Sequence, residues 1–538
     1  MRYILLGCCA AGILAGTLSA QNVDALSDPW TYGLAFRRIL LGPAPLQQIV
    51  LWPIPVGELA GLLPGSEQPP YAQWLDSAVQ RPGFQLVPSV GSHRFLLGAS
   101  DSLLQLLLHL SLMSRTGVAR YGDTTSSFLL ARLGGQAFVR YRDVLEGFLD
   151  ISNGARLAGP PEAALRTDPS LGRILKFTIE GQRYFDRYAG YLQLRWGSAR
   201  VRLGREVLSL GYSPIDNLIL SAQAPMLDGV LLDITHSRLR FTYLHAAAEG
   251  TDTAGAPVPS KYIALHRLGW EPFPGLSLAL YDMIVYSGRG FDLAYANPLA
   301  FFVSAGLQTA ERSNRDNSLL ALELALRPRP RVLLYGTLLV DDLNYSTLFD
   351  TSIAGNTNKF AFQLGAATLL PVGPLGLQVA AEYVRIGPFV YTHRTIVNSW
   401  THLNAPLGYS MQPNSDRVAL QLRSWLAPRA MLTLTADYTR HGENLLGPDG
   451  KLLTEVRNGV IVPIGNVGGD ILRGDGDMLA PNRFLRGVRS STRRFQLQLA
   501  AEWLPNLRGF VTVGYLHRSG GNAPTRQLWG VLEIRLGY

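Results

Sequence analysis

The stretch YAGYLQLRWGSARVRLGRE, residues 188–206, decides the fold of this chain. Apolar and polar residues alternate along both halves of the stretch, and Gly197 and Ser198 separate the halves. Two such residues with glycine first are typical of the type II′ turn that joins antiparallel strands. We therefore predict a β-hairpin, with Trp196 opposite Ala199, Leu194 opposite Val201 and Leu192 opposite Leu203.

The two faces of this hairpin differ in chemistry. One face is apolar, whereas the other carries Gln193 and Arg195 opposite Arg202 and Arg200. Like charges that lie opposite one another destabilise a buried sheet, so we expect the arginine face to contact water. One apolar and one wet face fit either a soluble sandwich or a membrane barrel whose apolar face contacts lipid.

The same alternation recurs along the chain, and the placement of aromatic residues favours the membrane barrel. Apolar and polar residues alternate in the runs 276–280, 320–326, 418–422, 432–438, 497–503 and 511–515. Trp196, Trp503, Tyr438 and Tyr515 stand at the ends of such runs. The interfacial girdles of a membrane barrel need aromatic residues at these positions.

Short and long connections alternate between the runs, which also favours a membrane barrel. Short turns are expected near 134, 197, 236, 273, 328, 373, 428 and 505, and long polar loops over 207–228, 247–260, 287–315, 341–357, 387–415 and 441–491. Outer-membrane barrels combine tight periplasmic turns with long outer loops. A soluble β-sandwich does not require short and long connections to alternate.

The strand count predicts a large closed barrel. Counting backward from Tyr538 gives fifteen strands to Tyr188, and the runs 103–115, 126–133 and 136–149 add three. We predict an all-β transmembrane barrel of about 18 antiparallel strands in the outer membrane of a Gram-negative-type bacterium. Every backbone donor in lipid needs a partner, so the last strand is expected to pair with the first.

Composition agrees with an exported barrel. Residues 1–20 carry one arginine, a short apolar stretch and small residues at Ser19 and Ala20, the pattern of a secretory signal. Its cleavage would remove both cysteines, Cys8 and Cys9. No later stretch is long and apolar enough for a membrane-spanning helix. The net charge of +9 suggests an anionic partner, either lipid headgroups or an acidic polysaccharide, and no nucleic-acid module is present.

Residues 21–95 differ from the barrel, which we expect to cover 96–538. The stretch SDPWTYGLAFRRILLG offers an Asp-Pro helix start and ends at Gly42, and PVGELAGLLPG and PYAQWLDSAV indicate further short helices. We predict a periplasmic helical region that is either a separate domain or a plug under the pore.

Two groups of polar residues could be catalytic or bind a metal, but the favoured interpretation of both is that they have neither role. His109 and Ser111 share a strand face, as in barrel phospholipases, yet no third residue that orients the histidine is identifiable. Asp470, Asp475 and Asp477 lie in the longest loop, but their spacing does not match the twelve-residue calcium loop. We therefore predict no catalytic residue, no metal site and no cofactor.

The most distinctive loop is YSGRGFDLAYANPLAFFVSAG, residues 286–306. Aromatic rings stack on sugars, while arginine and amide groups bond to hydroxyls and carboxylates. Alternatively, the loop folds inward and narrows the lumen. The expected polysaccharide-binding residues are Arg289, Asp292, Tyr295, Asn297, Asp316, Asn317 and Asp341, and the expected lumen residues are Gln193, Arg195, Arg200 and Arg202.

Several stretches resemble the Wzi family of capsule-assembly outer-membrane proteins. They are WTYGLAFRRILLG, GRGFDLAYANPLAFF, RDNSLLALELALRPRPRVLLYGTLLVDDL and the final strand ending on an aromatic residue. The resemblance implies an eighteen-stranded barrel closed by a periplasmic helical bundle. It also implies a lectin-like role, in which outer loops hold exported capsular polysaccharide, and a terminal aromatic that the barrel-insertion machinery recognises.

The sequence thus predicts a non-enzymatic outer-membrane barrel that binds an extracellular, acidic polysaccharide and contacts outer-membrane lipid. Lumen arginines would give the interior a potential that favours anions. The alternative functions are a solute channel and, less favoured, a phospholipase-type hydrolase.

Overall fold

The fold is a closed barrel of eighteen antiparallel strands. The structure, a computed structural model, describes residues 29–42, 45–54, 62–64, 69–78, 83–173, 184–252, 255–307, 315–342, 358–457, 460–476 and 483–537. The first barrel strand pairs with the last, with Ser111 opposite Gly537 and Tyr121 opposite Gln527. The predicted fold class, strand number and closure are confirmed.

The barrel strands are numbered β1 to β18 in chain order. They are Leu104–Tyr121, Thr124–Tyr141, Leu145–Ala158, Tyr184–Trp196, Ala199–Glu206, Leu227–His236, Leu239–Thr251, Pro257–Phe273, Leu276–Tyr286, Asn317–Arg329, Val332–Asp342, Lys359–Leu370, Leu377–Ile386, Ser415–Ala427, Ala430–Glu443, Val488–Leu504, Leu507–Gly520 and Thr525–Gly537. Eight connections of two to six residues lie at one end, the short-turn end. The opposite end carries the long connections, as outer loops do in such barrels, and is called the outer end.

The hairpin of β4 and β5 forms in the predicted register. Trp196 pairs with Ala199, and Leu194 pairs with Val201. Gly197 has a φ of 59°, which glycine adopts without steric cost at the first position of a type II′ turn. Leu194 is 52 % exposed and Val201 43 %, so the apolar face is the outer surface of the barrel. The polar face of the hairpin looks into the lumen.

The first three strands differ from the prediction in their bounds. The expected turn near 134 is wrong, because β2 runs unbroken from 124 to 141 and its turn lies at 142–144. Gly134 stays within the ladder opposite Ser152, where a Cβ would lie only 2.7 Å from that neighbour. Gly134 therefore relieves crowding inside a strand instead of forming a turn.

The long and short connections also alternate less strictly than expected. Residues 122–123 make a tight turn at the outer end, and the predicted loop 247–260 shrinks to 252–256 because β7 and β8 extend further. Strand pairing can continue beyond the membrane wherever two strands keep their ladder, so loop length alone does not mark the membrane boundary.

Short helices and strands accompany the barrel. The helices are α1 Pro29–Leu41, α2 Pro70–Ser77, α3 Pro161–Thr167, α4 Leu293–Ala296 and α5 Phe302–Leu307, with 3₁₀ turns at Leu46–Ile49, Pro169–Arg173 and Ile396–Asn398. The short strands are Leu51–Trp52, Gly83–Leu86, Ser89–Val90, His93–Arg94, Leu97–Ser100, Ser209–Leu210, Thr401–His402, Ala405–Pro406, Thr454–Arg457 and Val460–Pro463. Among the described helices, none has the length and apolar character needed to cross a membrane.

The helices predicted before the barrel form at 29–41 and 70–77, and the first ends at Gly42, whose N–H donates to Arg38 O at 3.0 Å. The predicted signal peptide and most of PVGELAGLLPG lie outside the described residues. Leu97–Ser100 pairs with β1 at 105–108, beyond the stretch of β1 that pairs with β18. This short strand therefore covers the part of β1 that β18 does not reach.

Helix α1 lies inside the barrel at the short-turn end. Gly33 O accepts from Gln378 Nε2 at 2.8 Å, and Leu40 O accepts from the backbone N–H of Arg331 at 2.6 Å. A Cβ on Gly33 would lie 2.9 Å from the ring of Trp425, so the absence of a side chain lets the helix approach the wall. The helix is thereby held against strands β10 to β14.

Two outer connections also enter the lumen. Leu210 and Ser209, from the connection 207–226, pair with Leu51 and Trp52. The connection 387–414 then packs on the first: Trp400 Nε1 donates to Ile219 O at 3.0 Å. These segments share one buried apolar cluster with inward residues of the wall and with α1, so packed side chains occupy this part of the barrel interior.

Candidate functional site

Four of the seven expected polysaccharide-binding residues lie together at the outer ends of β9 and β10. Arg289 Nη1 and Nη2 donate to the two carboxylate oxygens of Asp316 at 2.8 and 2.6 Å, and Nε donates to Asp292 Oδ2 at 3.1 Å. Tyr295 Oη donates to Asp316 Oδ2 at 2.7 Å. A bidentate pair fixes direction as well as distance. The four side chains thus form one rigid unit, the Arg289 cluster.

The Arg289 cluster carries two carboxylates for one guanidinium. Burial opposes the charge of Arg289, but the hydrogen bonds and charges of Asp316 and Asp292 outweigh it and raise the pKa of Arg289 above its usual value. The guanidinium also lies over the ring of Tyr286, 4.7 Å from its centroid. The Asp316 side chain is only 2 % exposed and the Asp292 side chain 9 %, so the cluster mainly braces the loop and leaves little carboxylate surface for a ligand.

The loop that carries this cluster, residues 287–307, lies on the outward wall of the barrel. It covers Tyr243 and Tyr286, which share the outward register with exposed Leu280 and Leu322. Phe302 of α5 is fully buried and stacks on His266, with ring centroids 4.0 Å apart. The expectation that this loop narrows the lumen is therefore wrong.

The far side of loop 287–307 is apolar. Four large side chains on it are exposed, with exposed fractions of 56 % for Phe291, 79 % for Leu293, 90 % for Leu299 and 53 % for Phe301. Because the loop covers the lipid-facing wall, this surface extends the apolar exterior of the barrel outward.

The other three expected binding residues have different surroundings. Asn297 is exposed and its Oδ1 accepts from the backbone N–H of Leu299 at 3.0 Å. Asn317 is only 3 % exposed and donates to Asn398 O at 3.1 Å, which ties β10 to the connection 387–414. Asp341 is 2 % exposed and accepts from the backbone N–H of Tyr391. Asn297 is therefore the one of these three that faces solvent.

A lysine accompanies acidic residues of the outer loops. Lys359 Nζ lies 2.9 Å from Asp475 Oδ2 and 3.9 Å from Asp341 Oδ2, and it donates to Thr392 O at 2.9 Å. Within the described ranges no three acidic, histidine or cysteine side chains converge as a metal site would require. Asp477 lies outside those ranges.

All four expected lumen residues share the inward register, and three of them are paired. Arg202 donates to Glu206 Oε2 at 2.9 Å and, through Nη2, to Gln193 Oε1 at 3.1 Å. Arg200 forms an ion pair with Asp233. Arg195 is exposed next to the turn. These carboxylates offset the charge of Arg200 and Arg202, so the potential of the lumen depends on groups beyond this hairpin.

Sequence reasoning missed the polar network that locks the outer connections inside the barrel. Asp216 accepts from Ser221 Oγ at 2.5 Å and from Ser410 Oγ at 2.6 Å, and burial raises the pKa of the Asp216 carboxyl. Glu382 accepts from Ser213 Oγ at 2.5 Å and from Tyr409 Oη at 2.6 Å. The hydroxyl and acidic residues of these loops were visible, but partners such as Ser410, which is 194 residues from Asp216, are far away in sequence.

Lys261 also holds the outer connections inside the barrel, and sequence reasoning missed it as well. It is 1 % exposed, and its Nζ donates to Ser399 O at 2.9 Å and to Thr401 Oγ1 at 3.0 Å. The lysine thereby joins β8 to the connection 387–414.

The residues of the hydrolase alternative are not arranged as a nucleophile and base. The ring of His109 packs against Phe95, with centroids 5.9 Å apart. Ser111 lies at the closing seam opposite Gly537. Within the described residues, no hydrogen bond joins His109 to Ser111.

The comparisons with known proteins point to one family. The sequence model of the family described as capsule assembly protein Wzi matches residues 150–464. No curated protein matches the sequence. A solved structure of Wzi from Escherichia coli, described as an outer membrane protein involved in group 1 capsule assembly and a carbohydrate-binding β-barrel, is 11 % identical, covers 95 % of this chain and 98 % of its own, and gives a TM-score of 0.56.

Other solved barrels are less similar in shape. OccAB4 from Acinetobacter baumannii is 10 % identical, with a TM-score of 0.46 over 80 % of this chain and 97 % of that chain. OprD from Pseudomonas aeruginosa is 10 % identical, with a TM-score of 0.42 over 80 % of this chain and 95 % of that chain.

Proposed function

The chain belongs to the capsule assembly protein Wzi family, and from this premise we propose that it is a non-enzymatic barrel that holds extracellular polysaccharide at the cell surface. The outer membrane is its site of action. The bound glycan is held by the outer end of the barrel, where the long connections lie.

The filled lumen is the observation that carries this proposal. Trp52, Leu210 and Trp400 belong to one buried cluster that joins the N-terminal region to both inward connections. A solute channel needs a continuous water-filled path, and closely packed side chains in the lumen oppose one. The solute channel is therefore disfavoured, and binding of polysaccharide at the outer end of the barrel is favoured.

The N-terminal region takes part as a plug. Its helix α1 and the strand 51–52 fill the lumen from the short-turn end, which in outer-membrane barrels is the periplasmic end. Helix α2 adds Trp74 and Leu75 to a second cluster with the inward residues Leu107 and Phe138. Residues 21–95 would thus act as a plug that is an integral part of the barrel, not as a separate domain.

The candidate contacts for the glycan lie on the Arg289 cluster and on Asn297. Asp292 offers a carboxylate whose side chain is 9 % exposed, Arg289 offers a guanidinium that is 18 % exposed, and Asn297 offers an exposed amide. These polar groups suit the hydroxyls at the edge of a saccharide. Each single contact would be weak, so a repeating polymer would gain from many copies of the protein.

The test is binding of fluorescently labelled capsular polysaccharide to cells that lack the protein and to the same cells complemented with it. We expect retention only with the complemented strain, and weaker retention when Asn297→Ala and Asp292→Ala are combined. Equal retention by both strains would overturn the proposal.

Planar-bilayer conductance separates this function from the solute channel. The purified full-length protein should insert without a steady open level. A stable open conductance together with no polysaccharide binding would favour the channel instead.

A further inference from the structure

A groove opens on the outward wall of the barrel beside loop 287–307. Its volume is about 650 Å³, within the range of pockets that bind small molecules. Tyr188, Leu203 and Val230 line one side, Tyr262 and Phe291 the other, and Ala247 lies between them. We call it the lateral groove.

The lateral groove faces lipid, not the lumen. Leu203 pairs with Val230, and Val230 pairs with His245, so these side chains share the outward register. Leu203 is 61 % exposed and Tyr188 54 %. A groove on this face of a membrane barrel opens toward lipid.

The lateral groove lies at the outer end of the strands. Arg205 is one residue from the end of β5, and its partner Asp228 is the second residue of β6. Both are charged and partly exposed, with side-chain exposures of 28 % and 50 %, which places them at the level of lipid headgroups. A molecule in the groove must therefore enter from the outer leaflet.

Arg205 has donors left for a headgroup. Its Nη1 donates to Asp228 Oδ2, and its guanidinium lies over the ring of Tyr188, 4.7 Å from the centroid. A guanidinium has five N–H donors, and among the described residues Asp228 is the acceptor that contacts it. The remaining donors suit a phosphate, which binds arginine bidentately.

We propose that the lateral groove holds an acyl chain of a phosphorylated glycolipid of the outer leaflet, with its phosphate at Arg205. Lipid tails are as apolar as the groove, so the chain gains packing contacts but little hydrophobic free energy. Other lipids also carry a phosphate, so selectivity for the glycolipid comes from its sugar hydroxyls, from which the half-exposed carboxylate of Asp228 can accept hydrogen bonds. The protein would thus be bound to a lipid of the outer leaflet, at the surface where it holds polysaccharide.

The test is native mass spectrometry of the full-length protein in detergent after incubation with purified bis-phosphorylated lipid A and a washing step with phosphatidylethanolamine. We expect one lipid A to stay bound to the wild type. Ala247→Trp should fill the groove and Arg205→Gln should remove the phosphate contact, each lowering retention about tenfold.

Matched controls exist on the opposite wall. Ala436 has the same outward register, opposite exposed Leu420 and Phe495, and Arg440 is an exposed outward arginine paired with Asp416. Ala436→Trp and Arg440→Gln should retain lipid A as the wild type does, and heat-modifiable gel migration verifies that every variant is folded. Complete displacement of lipid A by phosphatidylethanolamine, unchanged retention in both groove variants, or equal loss in the controls would overturn the proposal.

Discussion

Leu51 and Leu210 face each other across an antiparallel pair inside the barrel, although one precedes the first barrel strand and the other belongs to a connection of the outer end. The backbone N–H of Gly211 extends this pairing by donating to Val50 O at 2.9 Å. The lumen is therefore closed by two segments that enter from opposite ends and meet. Neither segment satisfies its backbone groups at this point without the other.

Deleting residues 29–52 should open the lumen. Helix α1 and the strand 51–52 would be lost, and inward polar residues such as Arg240, which donates to Gln47 O, would become hydrated. We expect a steady single-channel conductance where the full-length protein has none.

Deleting the outer hairpin 454–463 is the matched control for that experiment. Leu453 O already accepts from the backbone N–H of Ile464 at 2.9 Å, so the cut ends can rejoin without strain. This variant should stay silent in planar bilayers. If the deletion of residues 29–52 also gives no conductance, the outer connections close the barrel alone and the N-terminal plug is not needed.

Replacing Arg289 by lysine should loosen loop 287–307. Lysine is a point charge and cannot make two parallel bonds to Asp316 while also reaching Asp292. We expect the local stability of the loop to fall by about 1–2 kcal/mol and limited proteolysis within the loop to be about tenfold faster. Arg440→Lys, which weakens a comparable pair with Asp416 at the end of β15, should leave the cleavage rate of this loop unchanged.

The parts of the fold that the sequence predicted are those fixed by local pattern. The register of β4 and β5 follows from one turn and an alternation of period two, because a shift of one residue would exchange the faces of Leu194 and Gln193. The helix 29–41 follows from its Asp-Pro start and the glycine at its end. In β2 the same reasoning failed. A glycine such as Gly134 occurs both in turns and at crowded positions within strands, and the local sequence does not distinguish the two.

The position of the loops was beyond sequence reasoning. An aromatic loop such as 287–307 can bury its rings in the lumen or on the outward wall, and both surfaces accept Phe302. The choice depends on whether Tyr243, His266 and Tyr286 point outward, which requires the whole register. The partners of Lys261 lie 138 and 140 residues along the chain, so no local signal identified them.

Replacing Lys261 by methionine should destabilise the connection 387–414. The change takes the lysine donor away from the buried carbonyl of Thr401, whereas Ser399 O keeps the backbone N–H of Thr401 at 2.7 Å. An unsatisfied buried acceptor costs about 1–3 kcal/mol. We expect urea-induced unfolding in detergent at a lower midpoint and faster proteolysis between 387 and 414. Lys451→Met changes an exposed lysine and should alter neither quantity; an equal effect of both variants would contradict the proposed lock.

His393 should make the stability of the outer connections depend on pH. Burial, and secondly the charge of Lys359, lower the pKa of His393 from 6.5 to about 4. Below a pH of about 6.5 the unfolded chain takes up this proton, whereas the folded protein does so only near a pH of about 4. The contribution of His393 is therefore fully present above the unfolded pKa and is lost as the pH falls toward the folded pKa.

The measurement is the urea midpoint of the wild type and of His393→Gln at a pH of about 7.5 and of about 5. Glutamine keeps a polar side chain but cannot take up the proton, so the midpoint of this variant should fall less on acidification than that of the wild type. Other buried histidines lower both midpoints equally, and the difference between the two proteins isolates His393. His236→Gln changes an exposed histidine at the short-turn end and should follow the wild type. Parallel pH profiles for all three proteins would mean that the environment of His393 does not hold its ring neutral.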